Sequence, residues 1–275
     1  FGFPAMGVAG SALATALAHV VGFVIVLSVL IRGGGGLKLR WAAIRHLQKL
    51  VLKKIFNLGM PSFMEQFFNN LSIMIAVYLI VFTGTVSYAS HQVGVIVESI
   101  SFMPGFGIAI AATTLVGQSV GARDKLRLLQ STRGTIEFGL LFMGVFALLF
   151  ALIPFQIAGL FKEDAAIIAI AGLLIRIASL EQLTIALSMV MGGILKGSGD
   201  TRTPMMITTL ATWVYRIPML YLVIIVLEKP IQIAWFVFIS DWLLRSIAFY
   251  IAYRRRIRIH GPFMTAFEPV SSSRE

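Results

Sequence analysis

Long apolar runs separated by short polar connections set the pattern of this chain. A helix needs about 20 mostly apolar residues to cross a hydrocarbon core of about 30 Å. Seven stretches meet that requirement: 7–31, 59–82, 88–116, 133–154, 167–190, 204–227 and 231–252. Lipid offers no hydrogen bonds to an exposed backbone, so only helices and closed barrels can span it. Barrel strands need only about ten residues, and these runs are too long and too continuous for them. The expected fold class is therefore an all-α polytopic membrane protein with about seven transmembrane helices. Pro104 and Pro218 fall inside the third and sixth runs, where each removes a backbone hydrogen bond and predicts a kink. Gly10, Ala14, Ala18 and Gly22 recur every four residues in the first run, a smooth stripe that another helix can approach closely.

Composition agrees. The 275 residues are 58% hydrophobic and only 13% charged, about half the roughly 25% of a soluble domain. The formal charge of +11 does not indicate nucleic acid, because the basic residues are grouped between apolar runs. Rich connections hold Arg32, Lys38, Arg40, Arg45, Lys49, Lys53 and Lys54; then Arg123, Lys125, Arg127 and Arg133; then Lys196 and Arg202; and finally Arg254, Arg255, Arg256 and Arg258. The alternate connections, 83–87, 155–166 and 228–230, are poor in excess positive charge. Seven spans place every rich connection on one side, which the positive-inside bias makes cytoplasmic. The expected location is a bacterial- or archaeal-type inner (plasma) membrane, with 32–57 and the C-terminus inside. Residues 32–57 open with Gly33–Gly36 and continue with Trp41, Ile44, Leu47, Leu50 and Val51 at helical spacing opposite Arg45, Lys49 and Lys53. That is the pattern of a basic amphipathic surface helix, or of a plain juxtamembrane loop. Residues 254–275 read as a cytoplasmic tail. The chain opens at Phe1 with no start Met or leader, and an outside N-terminus without a signal leads to the expectation that further spans precede it.

Charges inside apolar runs cost a few kcal/mol each on insertion scales and mark functional or paired positions. Glu65, Glu98, Arg176, Glu181, Arg216, Asp241 and Arg245 all lie there. Glu65 has no basic residue in its own span, and Asn69 is one turn away on the same face. Together they offer hard oxygen atoms for Na⁺ or a proton relay, or an interhelical hydrogen-bonding patch. By depth, Glu181 could share a level with Glu65. Gln92, Glu98 and Gln182 complete the candidate binding set. Arg216, Asp241 and Arg245 read as structural charges, the last two four residues apart and able to pair. There are no cysteines, the four histidines are scattered, and no H-E-x-x-H, G-x-S-x-G or Walker motif occurs. Neither a structural metal, a cofactor nor an enzyme activity is expected.

Several segments, in order, resemble the MATE family of multidrug and toxic-compound extrusion transporters. They are Pro4 to Thr15 (PAMGVAGSALAT), Gly59 to Gln66 (GMPSFMEQ), Ala89–Gln92 with Glu98 to Gly107 (ESISFMPGFG), Val116 to Ala122 (VGQSVGA) and Leu195 to Pro204 (LKGSGDTRTP), continued by Trp213, Arg216, Pro218 and Tyr221. The resemblance implies twelve helices in two bundles of six, of which this chain would carry helices six to twelve. Residues 1–31 would be the last helix of the N-terminal bundle, 32–57 the cytoplasmic linker and 58–253 the C-terminal bundle. It also implies antiport of substrates against Na⁺ or H⁺, with membrane lipids, a small cationic substrate and the preceding bundle as partners. In one branch of the family the helix-seven glutamate falls where this chain has Asn69, and the helix-ten aspartate falls near Ile185. That branch's Na⁺ site is therefore not carried over intact, and a shifted one using Glu65 and Glu181 is an alternative. The expected function is a secondary active exporter of amphipathic organic cations. Alternatives are a lipid-linked-precursor flippase of the same superfamily and an inactive truncated half.

Overall fold

All seven long apolar runs are helical, the fifth with a break. The computed structural model describes residues 6–33 and 49–255, and the chain divides into two units, Phe1–Phe56 and Asn57–Glu275. In the first unit, α1 (Gly7–Arg32) ends where Gly33 takes φ +83° and its N–H bonds Val29 O, a left-handed stop that glycine adopts without strain. The expected linker helix lies, over 34–48, outside the described residues, as do Phe1–Ala5 and the tail from 256 onward.

The remaining described helices are α2 (Lys49–Val81), α3 (Thr85–Gly121), α4 (Lys125–Leu152), the short α5 (Pro154–Gly159), α6 (Ala165–Ala178), α7 (Gln182–Gly197), α8 (Arg202–Val226) and α9 (Ile231–Tyr253). Among the described residues six helices are long and apolar enough to cross a membrane, and α6 with α7 make a seventh span if counted as one. The 49–57 end of the expected linker belongs to α2, whose helix runs unbroken into the second apolar stretch.

The expected fifth span, 167–190, is not straight. It breaks after Ala178 and resumes at Gln182, with α6 and α7 inclined by 51°. No proline or glycine sits at the break. Ser179 Oγ instead bonds back to Arg176 O at 2.6 Å, a local competitor for helical hydrogen bonds. Pro218 acts differently from a simple kink: α8 carries wider π turns at Ala211–Arg216 and Leu222–Val226, the kind of local insertion found at functional positions.

Two of the bundle's four apolar clusters form layers towards its opposite ends. Near the ends of α2 and α3 away from the basic connections, Ile80, Val97, Leu174, Ile224 and Trp235 form one. Towards the basic end, Ala112, Val116, Leu128, Val190 and Ile194 form the other. At the level of the second layer α3 and α7 touch through backbone. A Cβ on Gly193 would come within 2.4 Å of Ala109 O, one on Gly197 within 2.4 Å of Thr113 O, and Thr113 Oγ1 donates to Gly193 O at 3.0 Å. Small residues permit this approach where lipid supplies no hydrophobic force between helices. Gly193→Ala should push the two helices apart and destabilise the bundle by about 1–3 kcal/mol. Thermal unfolding of the purified protein in detergent checks this: an unchanged melting temperature contradicts the close contact.

Candidate functional site

The break between α6 and α7 brings Glu181 to the helix start, where the dipole of α7 favours negative charge. Glu181 is 1% exposed, and it lines a cavity of about 320 Å³ together with Glu98 of α3 and Arg216 of α8. The two carboxyl groups lie within hydrogen-bonding reach of each other. A hydrogen bond between two carboxyls needs a proton on one of them. With a proton on one of them the pair can share a hydrogen bond, and without it the pair can hold a cation. No nitrogen or hydroxyl hydrogen among the described residues is donated to Glu181 Oε2.

Aromatic rings wall the same cavity. His91 of α3 stacks on Phe238 with centroids 6.4 Å apart and accepts a hydrogen bond at Nδ1 from Trp235 Nε1 at 3.2 Å. Trp235 reaches this position because Gly94, one turn from His91, leaves room: a Cβ there would meet the indole at 2.8 Å. Phe102 meets Trp242 edge-on with centroids 6.3 Å apart. An acidic pair inside an aromatic wall suits an organic cation chemically.

Behind the cavity, Asp241 of α9 is fully buried between two arginines. It accepts a hydrogen bond from Arg216 Nη2 and forms an ion pair with Arg245, whose Nε lies 3.0 Å from the same carboxylate oxygen, so the i,i+4 pair expected on α9 forms and gains a second cation from α8. Arg245 also donates to Thr212 Oγ1.

The sequence-derived candidates thus separate. Asn69, Gln92, Glu98 and Glu181 line the cavity; Gln92 Nε2 donates to Tyr88 OH at 2.7 Å. Gln182 is buried beneath it, its Nε2 3.4 Å from Ala178 O, and does not line it. Glu65 is elsewhere, and its partner is not Glu181. Lys196 Nζ from the last turn of α7 lies 3.0 and 2.9 Å from its two carboxylate oxygens, and Thr208 Oγ1 approaches at 3.5 Å. A protein ammonium is therefore paired with the glutamate of the expected Glu65–Asn69 cation position. The partner of Glu181 is Glu98. Arg176 is exposed, over the ring of Phe155 at 5.6 Å. Sequence reasoning missed Lys196, which reads as a loop charge until α7 extends to Gly197, and His91, which nothing in one dimension ties to Trp235. Among the described residues no three His, Asp or Glu side chains are grouped to hold a metal ion.

A family model described as MatE matches residues 61–222. The chain is 33% identical over 252 residues to a probable multidrug resistance protein NorM from Thermotoga maritima, covering 90% of this chain and 53% of that protein. To the uncharacterized transporter YisQ of Bacillus subtilis it is 29% identical over 262 residues, covering 94% and 57%. The chain thus spans about half the length of the curated relatives it matches. Its fold superposes on an outward-facing multidrug resistance MATE family transporter of the MOP superfamily, with TM-score 0.67, 18% identity, and 75% and 45% of the two chains covered.

Glu65→Gln and Lys196→Met should each destabilise the bundle, and the double variant by less than the sum, with a coupling of about 0.5–3 kcal/mol. A double-mutant cycle on thermal unfolding reads this directly; strict additivity would mean that the ion pair does not tie α2 to α7.

Proposed function

Because the MatE match takes in more than half of its residues, the chain belongs to the MATE family of transporters, and we propose that it works as one half of a secondary active exporter. In this reading the exporter moves amphipathic organic cations against Na⁺ or H⁺. The observation that carries the proposal is the Glu98–Glu181 pair inside an aromatic-walled cavity. Beside Arg216 the two carboxylates leave one negative charge unbalanced, so the pair can hold a proton or Na⁺, or an organic cation, but not both. Mutual exclusion of ion and substrate at one site is what antiport requires: each must leave before the other binds, and each favours the facing state it binds better. The aromatic faces add attraction for a cation stripped of water, about 2 kcal/mol when desolvated.

In the same reading 1–31 is the last helix of the preceding bundle, 32–57 the linker and 58–253 the C-terminal bundle, with 254–275 as the tail. The basic connections, including 32–57 and the C-terminus, face the cytoplasm, and the preceding bundle supplies the opposite wall of the transport pathway. A second reading, a flippase for an anionic lipid-linked precursor, has Arg216 in the cavity as its support. The two carboxyls of the same cavity, Glu98 and Glu181, outnumber that arginine, which favours the exporter.

Vesicles holding the full-length protein should release a fluorescent organic cation when driven by a Na⁺ gradient or by a pH gradient, and the gradient that works identifies the ion. Replacing both Glu98 and Glu181 with Gln should reduce driven efflux to background while the protein still elutes as a folded species. No efflux with either gradient would sink the exporter reading and favour the flippase.

A further inference from the structure

The cavity already contains a cation of its own. Arg216, 8% exposed, lines it from α8 with its guanidinium 5.2 Å from the Phe238 ring centroid and 5.8 Å from that of Trp242. It also lies within electrostatic reach of both Glu98 and Glu181. Two aromatic faces and two carboxyls are the groups an entering organic cation would use. We propose that Arg216 is a tethered stand-in for the transported cation, and that Asp241 is a positioning residue that holds it back from the Glu98–Glu181 pair. This rests on the cation-site reading of the cavity and adds what sets its affinity.

Arg216 is held from one side only. Its fork of five N–H donors bonds Asp241 through Nη2, while Nε has no hydrogen-bond partner among the described residues, and neither has Asp241 Oδ1. Buried polar atoms left unsatisfied are uncommon in folded proteins. Here they sit on both sides of the Arg216–Asp241 contact, with Arg245 Nε a third, and a turn of the Arg216 guanidinium towards the glutamates would change the pairing.

Asp241 keeps an ion-pair partner without Arg216. Arg245 remains paired to it, is anchored on Thr212 and lies over Trp242 at 5.1 Å, so Arg216 can leave without stranding a buried carboxylate. The charges complete the argument. One aspartate between two arginines leaves one positive charge in excess, and the glutamate pair with one proton carries one negative charge. Loss of that proton adds a second negative charge beside Arg216. The tethered guanidinium and a substrate cation then compete for the same carboxyls, and the Asp241 contact handicaps the tethered one.

Binding of tetraphenylphosphonium, a monovalent aromatic cation, to the purified full-length protein tests this, with melting temperature recorded for every variant. Arg216→Gln removes the internal competitor and should tighten binding about tenfold. Asp241→Asn frees the competitor and should weaken binding about tenfold, and Asp241→Asn combined with Arg216→Gln should restore at least wild-type affinity. A purely architectural Arg216 predicts the reverse: weaker binding in Arg216→Gln and no rescue in the double variant. That result would overturn the proposal while the cation-site reading stands. If Asp241→Asn does not fold, Arg216→Gln decides alone, since Arg245 still neutralises Asp241. Wild-type protein that fails to bind the probe removes both the reading and this proposal.

Discussion

A single carboxylate, Asp241, lies fully buried between Arg216 of α8 and Arg245 of α9, and the polar interior of the bundle is arranged around it. Charges of this kind are tolerated inside a membrane protein only when paired and turned away from lipid. Removing one partner from a buried pair typically costs about 3–5 kcal/mol, because the other charge is stranded. Three charges sharing one site leave a surplus of one positive unit, and that surplus faces the Glu98–Glu181 pair across the cavity. The cavity can therefore hold two acidic groups close together without either being isolated from positive charge.

The apolar layers on either side confine this arrangement. Ile80, Val97, Leu174 and Trp235 close it towards one end, and Val116, Leu128 and Ile194 towards the other. The backbone contact of α3 with α7 through Gly193 and Gly197 brings Glu98 and Glu181, carried on those two segments, close together. The break before α7 is what turns Glu181 inward. An unbroken helix through Ser179–Glu181 would give neither a free helix start nor the 51° change of direction. Irregular backbone at membrane depth is tolerated where it lines a cavity, and here it does.

Glu65 illustrates how depth estimates mislead. Counting residues from an assumed span start at 59 places Glu65 level with Glu181, but α2 begins at Lys49 and Glu65 meets the far end of α7 at Lys196 instead. The separation of the two carboxylates follows from chain direction. Glu181 opens α7 and Lys196 lies in its last turn, so a side chain that bonds one cannot share a level with the other. Asn69, one turn along α2 from Glu65, does reach the cavity, which divides the pair that sequence spacing places on one face.

The amino-acid sequence by itself determined the membrane class, the number of spans to within one broken helix, the clustering of basic residues in alternate connections, the family, and the i,i+4 pair of Asp241 and Arg245. Each of these depends on local periodicity or on neighbours along one helix, and the bilayer imposes its length requirement on every run separately. Only the tertiary structure decided which charges meet. Glu98 with Glu181, Lys196 with Glu65, Arg216 with Asp241 and His91 with Trp235 all join different helices. Partners of that kind depend on helix rotation and on the close approaches that glycine allows, and neither is encoded in the spacing of residues along a single helix.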